Sequence, residues 1–217
     1  MKPKCIGIIG GAGPQAGVYL LERIFTLATE LYSCSRDADF PKVILISFPF
    51  SEMLGPEKND RQISQELSQS LAQLRSNGAS ILAIACNTLH AFLEEEPSDL
   101  INLPRMLSTL NTEPLILCTS TSARFGLHKR YIPCRYPAPS TQSKVDYLID
   151  HVLAGQSKEK ISSDLTTLIN EQKEQTVVLG CTELSLLSPR LSPTKKIIDP
   201  LELLAQKLIT TSFHPPP

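Results

Sequence analysis

The sequence predicts an α/β protein built on mainly parallel sheets, and three observations carry that reading. Short apolar runs rich in β-branched residues alternate with amphipathic stretches of helical length. The runs lack the apolar–polar alternation of a half-exposed strand, so both faces are to be covered, as helices cover a parallel sheet. Finally, one pattern occurs twice. An apolar run stops on a small residue, then presents a cysteine followed by hydroxyl and polar groups, in ILAIACNTLH (81–90) and again in VVLGCTELS (177–185).

Taken in order, CIGIIG (5–10) reads as a first strand, ended by Gly10-Gly11-Ala12-Gly13. Pro14 suits a first helical position, where a missing N–H costs nothing. The helix over 14–32 places Val18, Leu21, Ile24, Phe25 and Ala28 at helical spacing. VILISF (43–48) is the next strand. A helix over 60–76 carries Ile63, Leu67, Leu71 and Leu74 on one stripe and stops at Asn77-Gly78. ILAIAC (81–86), LILC (115–118) and VVLG (177–180) complete the strands. Further helices are predicted over 143–154, ending at Gly155, over 157–172 with Ile161, Leu165, Leu168 and Ile169 inward, and over 200–212 after Asp199-Pro200. Proline-rich breaks at 97–104 and 133–139 are candidate joints, 133–143 reads as a functional or flexible loop, and the HPPP tail is expected to fray.

Composition narrows the function. With 217 residues, 41% apolar and 20% charged, and a net charge of −1, the chain carries no basic footprint for nucleic acid and no polybasic membrane patch. Its apolar runs fall far short of the about 20 residues a membrane helix needs, and a cytoplasmic protein is expected. The six cysteines, at 5, 34, 86, 118, 134 and 181, form no C-x-x-C pair and no Cys/His cluster with zinc spacing. Free thiols are expected, with no metal. No lysine stands in a context that marks a pyridoxal Schiff base, and no cofactor is expected.

The repeated corner is where chemistry is predicted. Two further turns echo each other: Gly10-Gly11-Ala12-Gly13 after the first strand and Cys118-Thr119-Ser120-Thr121-Ser122 after 115–118. Each half thus supplies one small-residue or hydroxyl turn and one cysteine corner, the outline of two halves built alike. In open parallel sheets, ligands bind beyond the carboxyl ends of the strands. A helix start there offers free N–H groups, which hold an anion and favour a thiolate. Thr88 and Thr182 add hydroxyl donors and Asn87 an amide. A single cysteine at a strand end is ordinarily a packing residue. Two in matching contexts, Cys86 and Cys181, each followed by polar groups where a buried strand wants none, suit a reaction that takes a proton from one face of a carbon and returns one to the other.

These residues resemble the aspartate/glutamate racemase family of cofactor-independent amino-acid racemases. The matching motifs are GIIGGAGP (7–14), CNTLH (86–90), GCTEL (180–184) and IDP (198–200), in the same order from end to end of the chain. The resemblance implies two similar α/β domains, each with a four-stranded parallel sheet flanked by helices, and an active site in the cleft between them. The first would hold 1–106 with 199–217, the second 107–198. It implies that Cys86 and Cys181 are the acid/base pair, that Asn87, Thr88, Thr119, Ser122 and Thr182 hold the amino acid, and that Glu183 supports the second cysteine or the ammonium. Gly11 and Ala12 would border the ligand. His90 would be structural. The partner would be an amino acid, acidic (aspartate or glutamate) or another small one, and the assembly a homodimer.

Two departures bear on the substrate. Many aspartate-acting members carry an arginine after the second strand, where this chain reads SFPFSEMLGPE, and a lysine near the end of the second domain's helix, where Leu153 aligns. A bidentate clamp for a side-chain carboxylate is therefore not expected here. Two other readings stay open at this point. One is a non-catalytic amino-acid binder that kept the fold. The other is a dinucleotide-binding domain, since Gly11-Ala12-Gly13-Pro14-Gln15-Ala16 satisfies a G-x-G-x-x-A pattern, though without the acidic residue that should follow a second strand.

Overall fold

A computed structural model describes residues 2–53 and 59–213; residues 54–58 of the loop after the second strand and the HPPP tail lie outside them. The contacts divide the chain into two units, one of residues up to Leu103 together with those from Leu201 on, the other Pro104–Pro200.

In the first unit, β1 (Ile6–Gly10), α1 (Pro14–Tyr32), β2 (Val43–Ser47), α2 (Asp60–Ser76), β3 (Ile81–Ile84) and β4 (Leu100–Ile101) follow one another. The strands form a sheet of order β2-β1-β3-β4, every pair parallel. β1 and β3 are buried throughout, as apolar runs without alternation require. Pro14 opens α1 after Gly13 in the left-handed region, and Ser33, also left-handed, closes it. Asn59 caps α2 by accepting from the Gln62 N–H.

The buried stripe of α1 is Ala16, Gly17, Leu20, Ile24, Leu27 and Ala28. Val18, expected inside, is 60% exposed. The cause is a close approach: a Cβ added to Gly17 would lie 3.3 Å from the Gly10 Cα, so the helix meets the sheet through its smallest residues. In α2 the expected stripe of Ile63, Leu67, Leu71 and Leu74 is the buried one.

The second unit holds β5 (Leu115–Leu117), α3 (Ser120–Arg124), α4 (Pro139–Leu153), α5 (Lys158–Asn170), β6 (Thr176–Leu179), α6 (Thr182–Ser185) and β7 (Lys196–Ile198). Its sheet has three strands, β5-β6-β7, again all parallel. The four strands the resemblance implies are reduced here to three and a single parallel bridge, Leu115 to Arg135. Arg135 N–H donates to Pro114 O at 2.9 Å and its carbonyl accepts from Ile116 at 2.8 Å. Pro133 and Pro137 flank it, lack an N–H and cannot extend the ladder. The stretch read as a loop over 133–143 is therefore an aborted strand followed by the first turn of α4.

With the bridge counted, the second sheet runs Arg135-β5-β6-β7, the same spatial order as β2-β1-β3-β4. The sequence echo is an echo of topology. α7 (Pro200–Phe213) returns to the first unit. There Arg23 on α1 forks onto Glu202 at 2.7 and 2.9 Å, and Ser212 Oγ donates to Lys4 O at 2.7 Å.

Candidate active site

In the first unit, β1 and β3 are neighbours in register, Ile9 beside Ile84, so the turns that follow them start side by side. Ala85 N–H donates to Ile9 O at 2.8 Å and extends the ladder by one bond. The chain after β1 turns at Gly11, where φ is +99° and a Cβ would overlap the Phe48 backbone. Only glycine fits there. The same approach sets the Phe48 backbone, just after β2, against Gly11, and Phe48 N–H donates to Gly10 O at 3.1 Å.

Cys86 follows the end of β3 and is 7% exposed. Asn87 and Thr88 are buried beside it. Among the described residues neither polar atom of the Asn87 side chain has a hydrogen-bond partner. A buried amide without partners carries a desolvation cost of about 1–3 kcal/mol, which a ligand's donors and acceptors would relieve. His90 is buried too, and burial pulls its imidazole down to about 4, so it is neutral.

In the second unit, β5 and β6 are neighbours, Leu117 beside Leu179. A Cβ on Gly180 would meet the Ile116 side chain and stand 3.1 Å from the Cys118 Cβ, so glycine lets the two turns close on each other. Cys181 is 6% exposed and sits in extended backbone at the start of α6. Its Sγ donates to Glu183 Oε2 at 2.8 Å, and Thr182 Oγ1 lies 3.4 Å from the same oxygen. Burial pushes the Glu183 carboxyl up, against the opposing pull of the Cys181 and Thr182 hydrogen bonds. Its other oxygen, Oε1, has no partner among the described residues. The Cys181 thiol and the Glu183 carboxyl are thus joined by a buried hydrogen bond.

Thr119 and Ser122 occupy the turn after β5. Thr119 Oγ1 caps α3 by accepting from Ser122 N–H at 3.2 Å. Two residues of α4 that no motif singles out hold this turn. Gln142 Nε2 donates to Cys118 O at 2.8 Å, and Asp146 Oδ1 accepts from Ser120 N–H at 2.9 Å. Cys118 itself is fully buried, and burial holds its thiol protonated. It is a packing residue.

The first unit therefore gathers Gly11, Ala12, Cys86, Asn87 and Thr88 at neighbouring strand ends, and the second gathers Thr119, Ser122, Cys181, Thr182 and Glu183. Two expectations need correction. The helices predicted after the cysteines are single turns, a 3₁₀ turn over Thr88–Phe92 and the four-residue α6. They offer free N–H groups but little aligned dipole. Leu153 is not a clamp position. It lies eleven residues beyond Gln142 on α4, about 16 Å along the axis from the β5 turn, and is 44% exposed.

A carboxylate of α2 meets the start of the loop after β2. Ser51 donates from its N–H and Oγ to Glu66 of α2 at 2.9 and 2.5 Å, and Gln62 Nε2 adds a bond at 3.1 Å. Burial opposes ionisation of Glu66, but the Ser51 and Gln62 bonds outweigh it and hold the carboxyl below its usual range. No acidic residue closes β2, which ends on Ser47 and is followed by Phe48. The dinucleotide pattern at 11–16 thus lacks its ribose partner. Among the described residues no group of three or more His, Cys, Asp and Glu could hold a metal, and no helix is long and apolar enough to cross a membrane.

No protein-family model matches the chain. It is 20% identical to the broad specificity amino-acid racemase RacX of Bacillus subtilis (strain 168), over 95% of this chain and 97% of that one. Among solved structures it is similar to an aspartate racemase from Picrophilus torridus, with a TM-score of 0.79, 22% identity and coverage of 97% of this chain and 94% of the other. It is also similar to a glutamate racemase from Francisella tularensis in complex with D-glutamate, with a TM-score of 0.64, 16% identity and coverage of 98% and 82%. These likenesses show that the chain has the fold of the aspartate and glutamate racemases.

Proposed function

We propose that the protein is a cofactor-independent amino-acid racemase in which Cys86 and Cys181 serve opposite faces of the substrate's α-carbon. The observation that carries this reading is the repeated corner. β3 and β6 occupy the same place in two sheets of the same order, and each ends on a buried cysteine followed by polar groups. A packing requirement explains one such cysteine but gives no reason for the second at the equivalent place. The amino-acid racemase activity named for the Bacillus relative supports the same reading.

In the proposed cycle one cysteine, as thiolate, removes the α-proton and becomes a thiol. The electron pair left on the carbon spreads into the substrate carboxylate, held by Asn87, Thr88, Thr119, Ser122 and Thr182. The other cysteine, a thiol, delivers its proton to the opposite face and becomes a thiolate. The enzyme is then set for the other enantiomer, as microscopic reversibility requires. Glu183 exchanges a proton with Cys181 and lets that side start from either protonation state.

The missing clamp arginine after β2 favours substrates with neutral side chains over aspartate and glutamate, whose second carboxylate would lack its bidentate partner. The test is a panel of neutral and acidic amino acids incubated with the protein in heavy water, with loss of the α-proton signal followed by NMR. Washout is expected, fastest for small neutral side chains. Absence of washout across the panel would sink the racemase reading, and fastest washout for aspartate or glutamate would sink the side-chain preference.

A further inference from the structure

The Cys86 corner contains a side chain that the proton transfers do not use. The His90 ring is bonded at both nitrogens: Nδ1 lies 2.8 Å from the Cys86 carbonyl oxygen, and Nε2 lies 3.3 Å from the Leu103 amide nitrogen. A carbonyl only accepts and a backbone amide only donates. Both partners therefore demand the same tautomer, with the proton on Nδ1 and the lone pair on Nε2. The backbone N–H of His90 makes a third bond, to Asn87 O at 3.1 Å. Two successive carbonyls of the corner, Cys86 and Asn87, thus end on one residue.

That arrangement does more than satisfy a buried ring. The peptide unit between Cys86 and Asn87 is planar, so holding its carbonyl holds ψ of Cys86 and φ of Asn87 together. The direction of the Cys86 Cα–Cβ bond follows. The other end of the clasp, Leu103, is the last residue of the first unit before the chain enters the second. We propose that His90, as the Nδ1–H imidazole bridging the Cys86 carbonyl and the Leu103 amide, is a positioning residue that sets the aim of the Cys86 thiol. The inference rests on the reading of Cys86 as one of the two bases.

Two amide substitutions separate the two bonds. In His90→Asn the side-chain NH2 takes the place of Nδ1 and keeps a donor for the Cys86 carbonyl while giving up the Leu103 bond. In His90→Gln the amide oxygen reaches toward Leu103 and the Cys86 carbonyl loses its donor. Misaiming a reacting group by about 1 Å costs about 100-fold. His90→Gln is therefore expected to lower kcat about 30-fold or more with KM changed less than about threefold, and His90→Asn to lower kcat about threefold. If the two variants lose activity equally and in step with their thermal midpoints, His90 is only packing and the proposal is overturned.

Two readouts do not need turnover. The rate of Cys86 alkylation by iodoacetamide, read by peptide mass mapping, should change at least about fivefold in His90→Gln and little in His90→Asn. Equal rates in both would overturn the proposal. In the unmodified protein at neutral pH, ¹⁵N-edited NMR should show His90 protonated at Nδ1 alone, and a proton at Nε2 would contradict it. A protein that exchanges no α-proton defeats the racemase reading, while these two measurements still decide the role of His90.

Discussion

The two cysteine corners share a topology and differ in what steadies them. Cys86 stands beside a neutral imidazole that grips its backbone. Cys181 stands beside a carboxyl that grips the sulfur itself. The comparison shows that a repeated fold repeats the placement of a cysteine but not its surroundings. Duplicated strands and turns bring each thiol to the same kind of edge. The protonation partner is set by one or two side chains that each half chose separately. A reaction that uses one thiolate and one thiol at a time gains from that difference, because the two sides need not compete for the same resting state.

The largest expected effects lie in the turns beside the corners. Gly11→Ala should destabilise the first unit by about 3–5 kcal/mol, since the left-handed φ and the overlap with the Phe48 backbone have no side chain to yield. Gly180→Ala should cost less, about 1–3 kcal/mol, because its nearest obstacle is the Ile116 side chain. Urea unfolding of the two variants checks the order, and an equal or reversed order would mean the corners are not built as described.

Acid should separate the corners by sign. His90 binds its proton more weakly folded than unfolded, so the unfolded chain takes up the extra proton between about 6.5 and about 4. Stability is therefore lost as pH falls through that window, by about 3 kcal/mol in all. Glu183 binds its proton more tightly in the folded state, so its contribution runs the other way and grows as pH falls. Unfolding free energies at pH 7 and pH 4.5 should converge in His90→Gln relative to the unmodified protein and diverge in Glu183→Gln.

On activity, Glu183→Gln keeps an acceptor near Cys181 but cannot exchange a proton, and racemisation should fall about 100-fold. A Glu183→Gln variant within twofold of the parent rate would reduce the carboxyl to a spacer. The smallest effect is expected far from both corners. Arg23→Ala removes a half-exposed fork onto Glu202 and should cost no more than about 1 kcal/mol, with racemisation unchanged.

Much of the framework was legible in the chain because its punctuation is local. Pro14, Asn77-Gly78 and Pro200 bound α1, α2 and α7 where the sequence places them. The inner face of α1 was not legible, because periodicity weighs large side chains and the contact is made by Gly17 and Gly10. β4 and β7 span two and three residues, too few to show a period, and the Arg135 bridge is hidden between prolines. The cysteine corners were visible as an echo of motif. Their supports were not, since Gln142 and Asp146 meet the β5 turn only after α4 folds back upon it, and the Leu103 end of the His90 clasp depends on where β4 leaves the sheet.

The central claim is that one cysteine serves each face of a single carbon. Cys86→Ala and Cys181→Ala should be compared with the parent protein in heavy water, each supplied with one pure enantiomer of the best substrate at a time, while chiral chromatography follows interconversion and NMR follows the α-proton. The account predicts deuterated product of opposite hand from the parent with either enantiomer, and a loss of interconversion of about 1,000-fold or more in each variant. Near-parental interconversion in both directions by either variant would contradict it.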